Sequence, residues 1–233
     1  MTISNVRNSK GSWLTISILS LLVLALAFYG GAQLVTEDDS QGSGQVPEAK
    51  RVVLRDAAQA LPVLPGLGSL PTGWSVKDGF PGTMECPPDI PGCDGSSVSA
   101  VSEYVPDFMV DQVRIELRSY PTVDATIVGY KALAKQQMDR GTGLDPLSLP
   151  NVGGDEAMAV SWAIHPNPNE PDMTEATGAT SVVRVGTVAV TVYLRDEGAG
   201  GTDLDVLQAL TAAMAARIGE AISGQTPQST VQL

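Results

Sequence analysis

Few side chains in this sequence are of a type and spacing that could do chemistry. Cys86 and Cys93 enclose the six residues PPDIPG, a spacing unlike the C-x-x-C of redox motifs, and no histidine lies near. In an oxidising compartment an even cysteine count reads as a disulfide, here closing a short local loop. His165, the single histidine, lies in the loop His-Pro-Asn-Pro-Asn. A Ser-His-Asp hydrolase would need it as base, but no G-x-S-x-G is present, so it reads as a solvated loop residue. Zinc is not expected with one histidine and no free cysteine set, and calcium is not expected without a D-x-D-x-D-G run.

Paired carboxylates can carry glycoside hydrolysis at a defined separation. Asp155, Glu156, Asp172, Glu175, Asp196 and Glu197 sit in expected loops, but with 26 acids in the chain they read first as solvated surface. Gly66-Leu67-Gly68 and the glycines from Gly198 to Gly201 complete no phosphate or dinucleotide fingerprint and read as turns. No catalytic set, metal or cofactor is expected. Among the aromatics, Trp162 on an alternating strand reads as core. Trp74, after Pro71-Thr72-Gly73, reads as a partly exposed ring able to stack on a ligand.

The elements that must position these residues begin with an apolar run. No charge occurs from Gly11 to Thr36, and Trp13 to Tyr29 is almost continuously apolar. At ~1.5 Å per residue, a helix of about 20 residues spans a ~30 Å hydrocarbon core. Arg7 and Lys10 precede the run; Glu37, Asp38 and Asp39 follow it. The positive-inside bias then places residues 1–10 in the cytoplasm, 11–36 in the membrane and the rest outside. The alternative is a cleaved secretory leader ending after Ala32. Residues 37–49 read as a flexible linker and 223–233 as a disordered polar tail.

No acid and only two bases precede Glu37, so the exported part holds 12 of the 14 Lys+Arg and all 26 Asp+Glu. Such an excess of acid argues against nucleic acid, which needs a basic face. Residues 50–222 read as one α+β domain, an antiparallel sheet with helices packed on one face. A short helix is expected in Lys50–Leu61, ended by Pro62 and Pro65. Strands are expected over Val98–Val105, Val113–Tyr120 and Met158–Ile164. A helix from Thr122 or Asp124 to Asp139 carries the stripe Val123, Ile127, Tyr130, Ala134 and Met138. The segment Ser181–Arg195 reads as a hairpin about a type II′ turn at Gly186-Thr187. That register puts Val183, Val185, Val188, Val190, Val192 and Leu194 on the core face and Arg184, Ala189, Thr191 and Tyr193 on the other. A final helix, about Asp203–Ile222, carries Leu207, Leu210, Met214, Ile218 and Ile222, with Thr202 and Asp205 as a capping box.

The run Val152-Gly153-Gly154-Asp155-Glu156-Ala157, the strand after it, the hairpin Val183–Val188 and the closing Ala-rich helix carry a resemblance. From about Val98 to Ile222 the chain resembles the extracytoplasmic sensor domains of actinobacterial transmembrane Ser/Thr kinases of the mycobacterial PknH type, and related cell-envelope proteins. The resemblance implies a membrane-tethered α+β domain with a cleft and no settled enzymatic activity. With about ten residues ahead of the apolar run, no kinase domain is expected in this chain.

The resulting reading is a non-enzymatic protein of the bacterial cell envelope. It is anchored in the cell membrane by its N-terminal helix, and its outer domain binds a small ligand or an envelope protein. Arg184, Tyr193 and Trp74 form the candidate binding face. A carboxylate-dependent hydrolase, secreted or anchored, is the alternative.

Overall fold

The computed structural model describes residues 51–106, 112–139, 144–164, 176–196 and 202–233, all within the unit Pro47–Leu233. The expected cytoplasmic segment, membrane anchor and linker lie outside the described residues, as does the loop bearing His165. Among the described residues, no helix is long and apolar enough to cross a membrane.

The strands form an eight-stranded, wholly antiparallel sheet, with the alternation of Val113, Ile115 and Leu117 clearest in the fourth of them. Its strands are β1 (Ser75–Val76), β2 (Gly82–Thr83), β3 (Val98–Val105), β4 (Gln112–Ser119), β5 (Asp145–Leu147), β6 (Glu156–Ile164), β7 (Ala176–Val185) and β8 (Val188–Asp196). The order is β1-β3-β4-β8-β7-β6-β5, with β2 also on β3. The hairpin register is as expected: Val185 faces Val188 and Val183 faces Val190. Gly186 has φ 56° and Thr187 has no positive φ, which is the type II′ pattern.

Helix α1 (Ala57–Ala60) is one turn, started by the Asp56 side chain accepting from the Gln59 amide and running into a 3-10 turn at Leu61–Val63. It is shorter than the expected Lys50–Leu61 because the chain ahead of Asp56 pairs elsewhere: the Val52 amide donates to the carbonyl of Ile222 at 2.7 Å. Helix α2 spans Val123–Asp139 and α3 spans Leu204–Ile222. The cap of α3 is Asp203, whose side chain accepts from the amides of Asp205 and Val206, rather than the expected Thr202–Asp205 pair.

The two long helices cover opposite faces, which corrects the expectation of helices on one face. On the first face Leu207, Leu210, Met214 and Ile218 of α3 join Ile115, Leu117, Val183, Val190 and Val192 in the main core. On the second, Tyr130 and Leu133 of α2 pack with Tyr120, Val182 and Ala189. The reason lies in β7 and β8, which are buried on successive residues; a strand buried on both sides needs a second layer. The α2 stripe is also rotated. Thr126, Gly129, Tyr130, Leu133 and Gln137 face inward, while Val123 and Met138 are exposed. Small and polar side chains suit the second face, and a Cβ on Gly129 would collide with the Tyr120 hydroxyl.

The tail expected to be disordered is held in place. Glu220 accepts from the Ser229 hydroxyl at 2.6 Å and from the Gln228 amide at 2.6 Å, and Val231 donates to the Ser69 carbonyl at 2.9 Å. Arg217, buried by α3, donates to the carbonyls of Val63, Pro62 and Ser229 at 2.7, 2.8 and 2.9 Å. Burial lowers the Arg217 pKa. Burial would raise that of Glu220, but the bonds from Ser229 and Gln228 outweigh it and hold the carboxyl low. Such backbone-directed bonding leaves no periodicity to read in a sequence.

Candidate functional site

The second sheet face carries a cleft of about 480 Å³. Its floor is β3, β4 and β8; Leu133 and Gln136 of α2 form one wall, and Met84 and Ile90 beside the disulfide form the rim. The Cys86–Cys93 disulfide is present, with Cα atoms 5.0 Å apart. It closes its loop locally, and the loop is held to the rest of the protein by Tyr120, whose hydroxyl donates to the Gly92 carbonyl, and by Leu133, against which Gly92 sits at φ 76°. Burial pushes the Tyr120 phenol up to about 12, so it remains a donor.

Across the floor runs a charged ladder. The β4 residues Arg114, Glu116 and Arg118 point to one side because strand side chains alternate. Arg114 reaches Glu103 at 2.7 Å through Nη1 and Glu116 at 2.7 Å through Nε. Glu103 also accepts from Lys77 at 2.7 Å and from Gln112 at 3.2 Å. Glu116 accepts from Arg118 Nη2 at 3.1 Å. Burial would raise the Glu103 pKa, but the bonds and charges of Lys77 and Arg114 outweigh it and hold the carboxyl below its usual range. Arg114 is correspondingly raised: burial lowers it, but Glu116 and Glu103 more than compensate. Arg118 is 3 % exposed, and its Nε and Nη1 meet no partner.

The expected binding face is only partly assembled here. Tyr193 lines the cleft and stacks on Trp162, with centroids 5.2 Å apart and planes at 19°. Trp162, expected in the core, is only half-buried; it lies over Gly178 and donates to the Thr180 hydroxyl at 3.2 Å. Trp74, expected to be partly exposed, is instead 7 % exposed and belongs to the main core on the α3 side. Arg184 is occupied as a clamp, bonded to Asp155 and Glu156 at 2.9 Å each, while Asp155 also accepts from the Gly186 amide at 2.7 Å. These bonds fasten the start of β6 to the hairpin tip. Asp172, Glu175 and Glu197 lie outside the described residues.

Sequence reasoning missed Glu103, Arg114, Glu116 and Arg118 as a site. The available signal was R-I-E-L-R on β4, where Arg114, Glu116 and Arg118 alternate with apolar residues as in a half-buried strand. Among the described residues no group of three or more His, Cys, Asp or Glu is placed to hold a metal ion.

No family model and no curated protein matches this chain. Among solved structures it is similar to the extracellular domain of PknH from Mycobacterium tuberculosis. The identity is 10%, over 63% of this chain and 82% of that one, with a TM-score of 0.39. The resemblance is weak and concerns outline alone, and no ligand or activity comes to this chain from it.

Proposed function

We propose that this chain is an extracytoplasmic binding protein of the bacterial cell envelope, tethered by residues 11–36. Its α2-side cleft receives the ligand or partner. One observation carries the reading: a cleft floored by ion-paired, part-buried charges lies on the α2 face of the sheet. Sites of this kind combine apolar walls with a few placed polar groups.

Two carboxylates, Glu103 and Glu116, do meet in the cleft, as a hydrolase would require. A general acid needs a raised pKa, whereas Glu103 is held ionised by Lys77 and Arg114. That supports binding over acid–base catalysis.

The test is recovery of bound material from full-length protein purified out of detergent-solubilised membranes. A molecule or protein recovered with the wild type should be lost from Tyr193→Ala and kept by Arg184→Ala, once both are normalised for folded protein. Recovery indifferent to Tyr193 would remove the cleft from the function. Polysaccharide hydrolysis abolished by Glu103→Gln would establish the hydrolase instead. Protease added to intact protoplasts should digest the domain and spare a tag on the N-terminus; a protected domain would overturn the topology.

A further inference from the structure

We propose that the cleft takes a small organic carboxylate, anchored by Arg118. The proposal rests on the cleft being a binding site and adds the chemistry of what it binds.

Arg118 is the deepest cation of the ladder. Only Nη2 is engaged, at 3.1 Å from Glu116, while Nε and Nη1 are buried without a partner. A buried guanidinium with unpaired donors is costly, and an anion supplies the acceptors it lacks. Two hydroxyls beside it are in the same condition. Ser99 is the cross-strand partner of Arg118, Thr191 is that of Glu116, and Oγ of Ser99 and Oγ1 of Thr191 are both buried and unpartnered. Arg118 and Thr191 line the cleft, and Ser99 lies next to Arg118 on the same sheet face, so unsatisfied donors gather around one end of it.

Charge sets the class of ligand. Lys77, Arg114 and Arg118 face Glu103 and Glu116, leaving the ladder one positive charge in a chain of net charge −12. A single carboxylate neutralises that excess. A phosphate dianion would overshoot it beside two fixed carboxylates. The walls set the body of the ligand: Met84, Ile90 and the Tyr193 ring offer apolar surface to an organic group. A volume of about 480 Å³ suits a small molecule.

The probes are benzoate, its neutral counterpart benzamide, and inorganic phosphate, titrated into the full chain in detergent and followed by ligand-observed NMR and calorimetry. Benzoate should bind saturably, and more tightly than either of the others. Arg118→Gln should weaken benzoate by about tenfold or more, and Thr191→Val by about fivefold, with benzamide unaffected. If Arg118→Gln does not fold, Thr191→Val and the wild-type comparison of the three probes decide. Equal binding of benzamide and benzoate, preference for phosphate, or no saturable benzoate binding would each overturn the carboxylate. A cleft-dependent partner recovered from membranes would then still uphold the binding reading, whereas recovery indifferent to Tyr193→Ala would remove that reading as well.

Discussion

The two faces of the sheet are built from the same strands and do opposite work. Against α3, Ile115, Leu117, Val190 and Val192 are fully buried among Leu, Ile and Met, and the face is sealed. Against α2, the residues between them are Arg114, Glu116, Arg118, Thr191 and Tyr193. There the cover is partial, and a charged cleft remains beside the helix. Burying apolar surface stabilises by roughly 25 cal/mol per Å², so the α3 face carries stability. The α2 face keeps polar groups part-buried at a cost in stability, which is the usual condition of a site.

The largest test of this division is a matched pair of neighbours. Val190→Asp should destabilise by about 3 kcal/mol or more, because it buries an unpaired carboxylate among Leu117 and Val183. Thr191→Asp, one residue along, puts its carboxylate on the face that holds Arg118 and should cost far less. Equal loss in urea unfolding would erase the distinction between the faces.

Next in size is the disulfide. Cys86→Ser should lower stability by about 2 kcal/mol by the loop-entropy model while leaving cooperative unfolding intact. The rim at Ile90 should loosen, seen as faster hydrogen exchange around Gly92 with the α3 face unchanged. Loss of cooperative folding would show that the cleft rim also supports the core.

Gly186→Val should cost a little over ~1 kcal/mol, because φ is 56° and the added Cβ would meet the Ile222 side chain at 2.8 Å. Denaturant midpoints measured beside wild type check it; an unchanged midpoint would mean the tip relaxes freely.

The smallest effect at neutral pH concerns Glu103. Its pKa is lower when folded than when unfolded, so its stabilisation is present above the ordinary value of 4.5 and is lost as pH falls through the lower folded value. Wild-type stability should therefore decline from about pH 5 downward, and Glu103→Gln should flatten that slope. An identical acid profile in both would break the link between Glu103 and its cations.

Where pattern and packing agree, the strands were readable in advance. Val183 to Leu194 alternate about a glycine that suits a type II′ turn, and local geometry left one register available. Leu207, Leu210, Met214 and Ile218 repeat at helical spacing, and all are buried. Of the residues expected to bind, Tyr193 lines the cleft, whereas Arg184, four residues along the sheet from it, is bonded to Glu156 and Asp155, 28 and 29 residues away in the chain.

The five longer strands, the hairpin register, the two long helices and the cysteine pairing were legible from the residues, because each depends on neighbours a few residues apart; the short strands β1, β2 and β5 were not. Tertiary structure alone decided that α2 covers the face opposite α3, that Trp74 is buried and Trp162 half-open, and that the C-terminal segment is clamped. It also decided that Lys77, Glu103, Arg114, Glu116 and Arg118 form one ladder. Those outcomes turn on which surfaces meet across separations such as 11 and 154 residues of chain, through backbone carbonyls and long charged side chains that leave no period in the sequence.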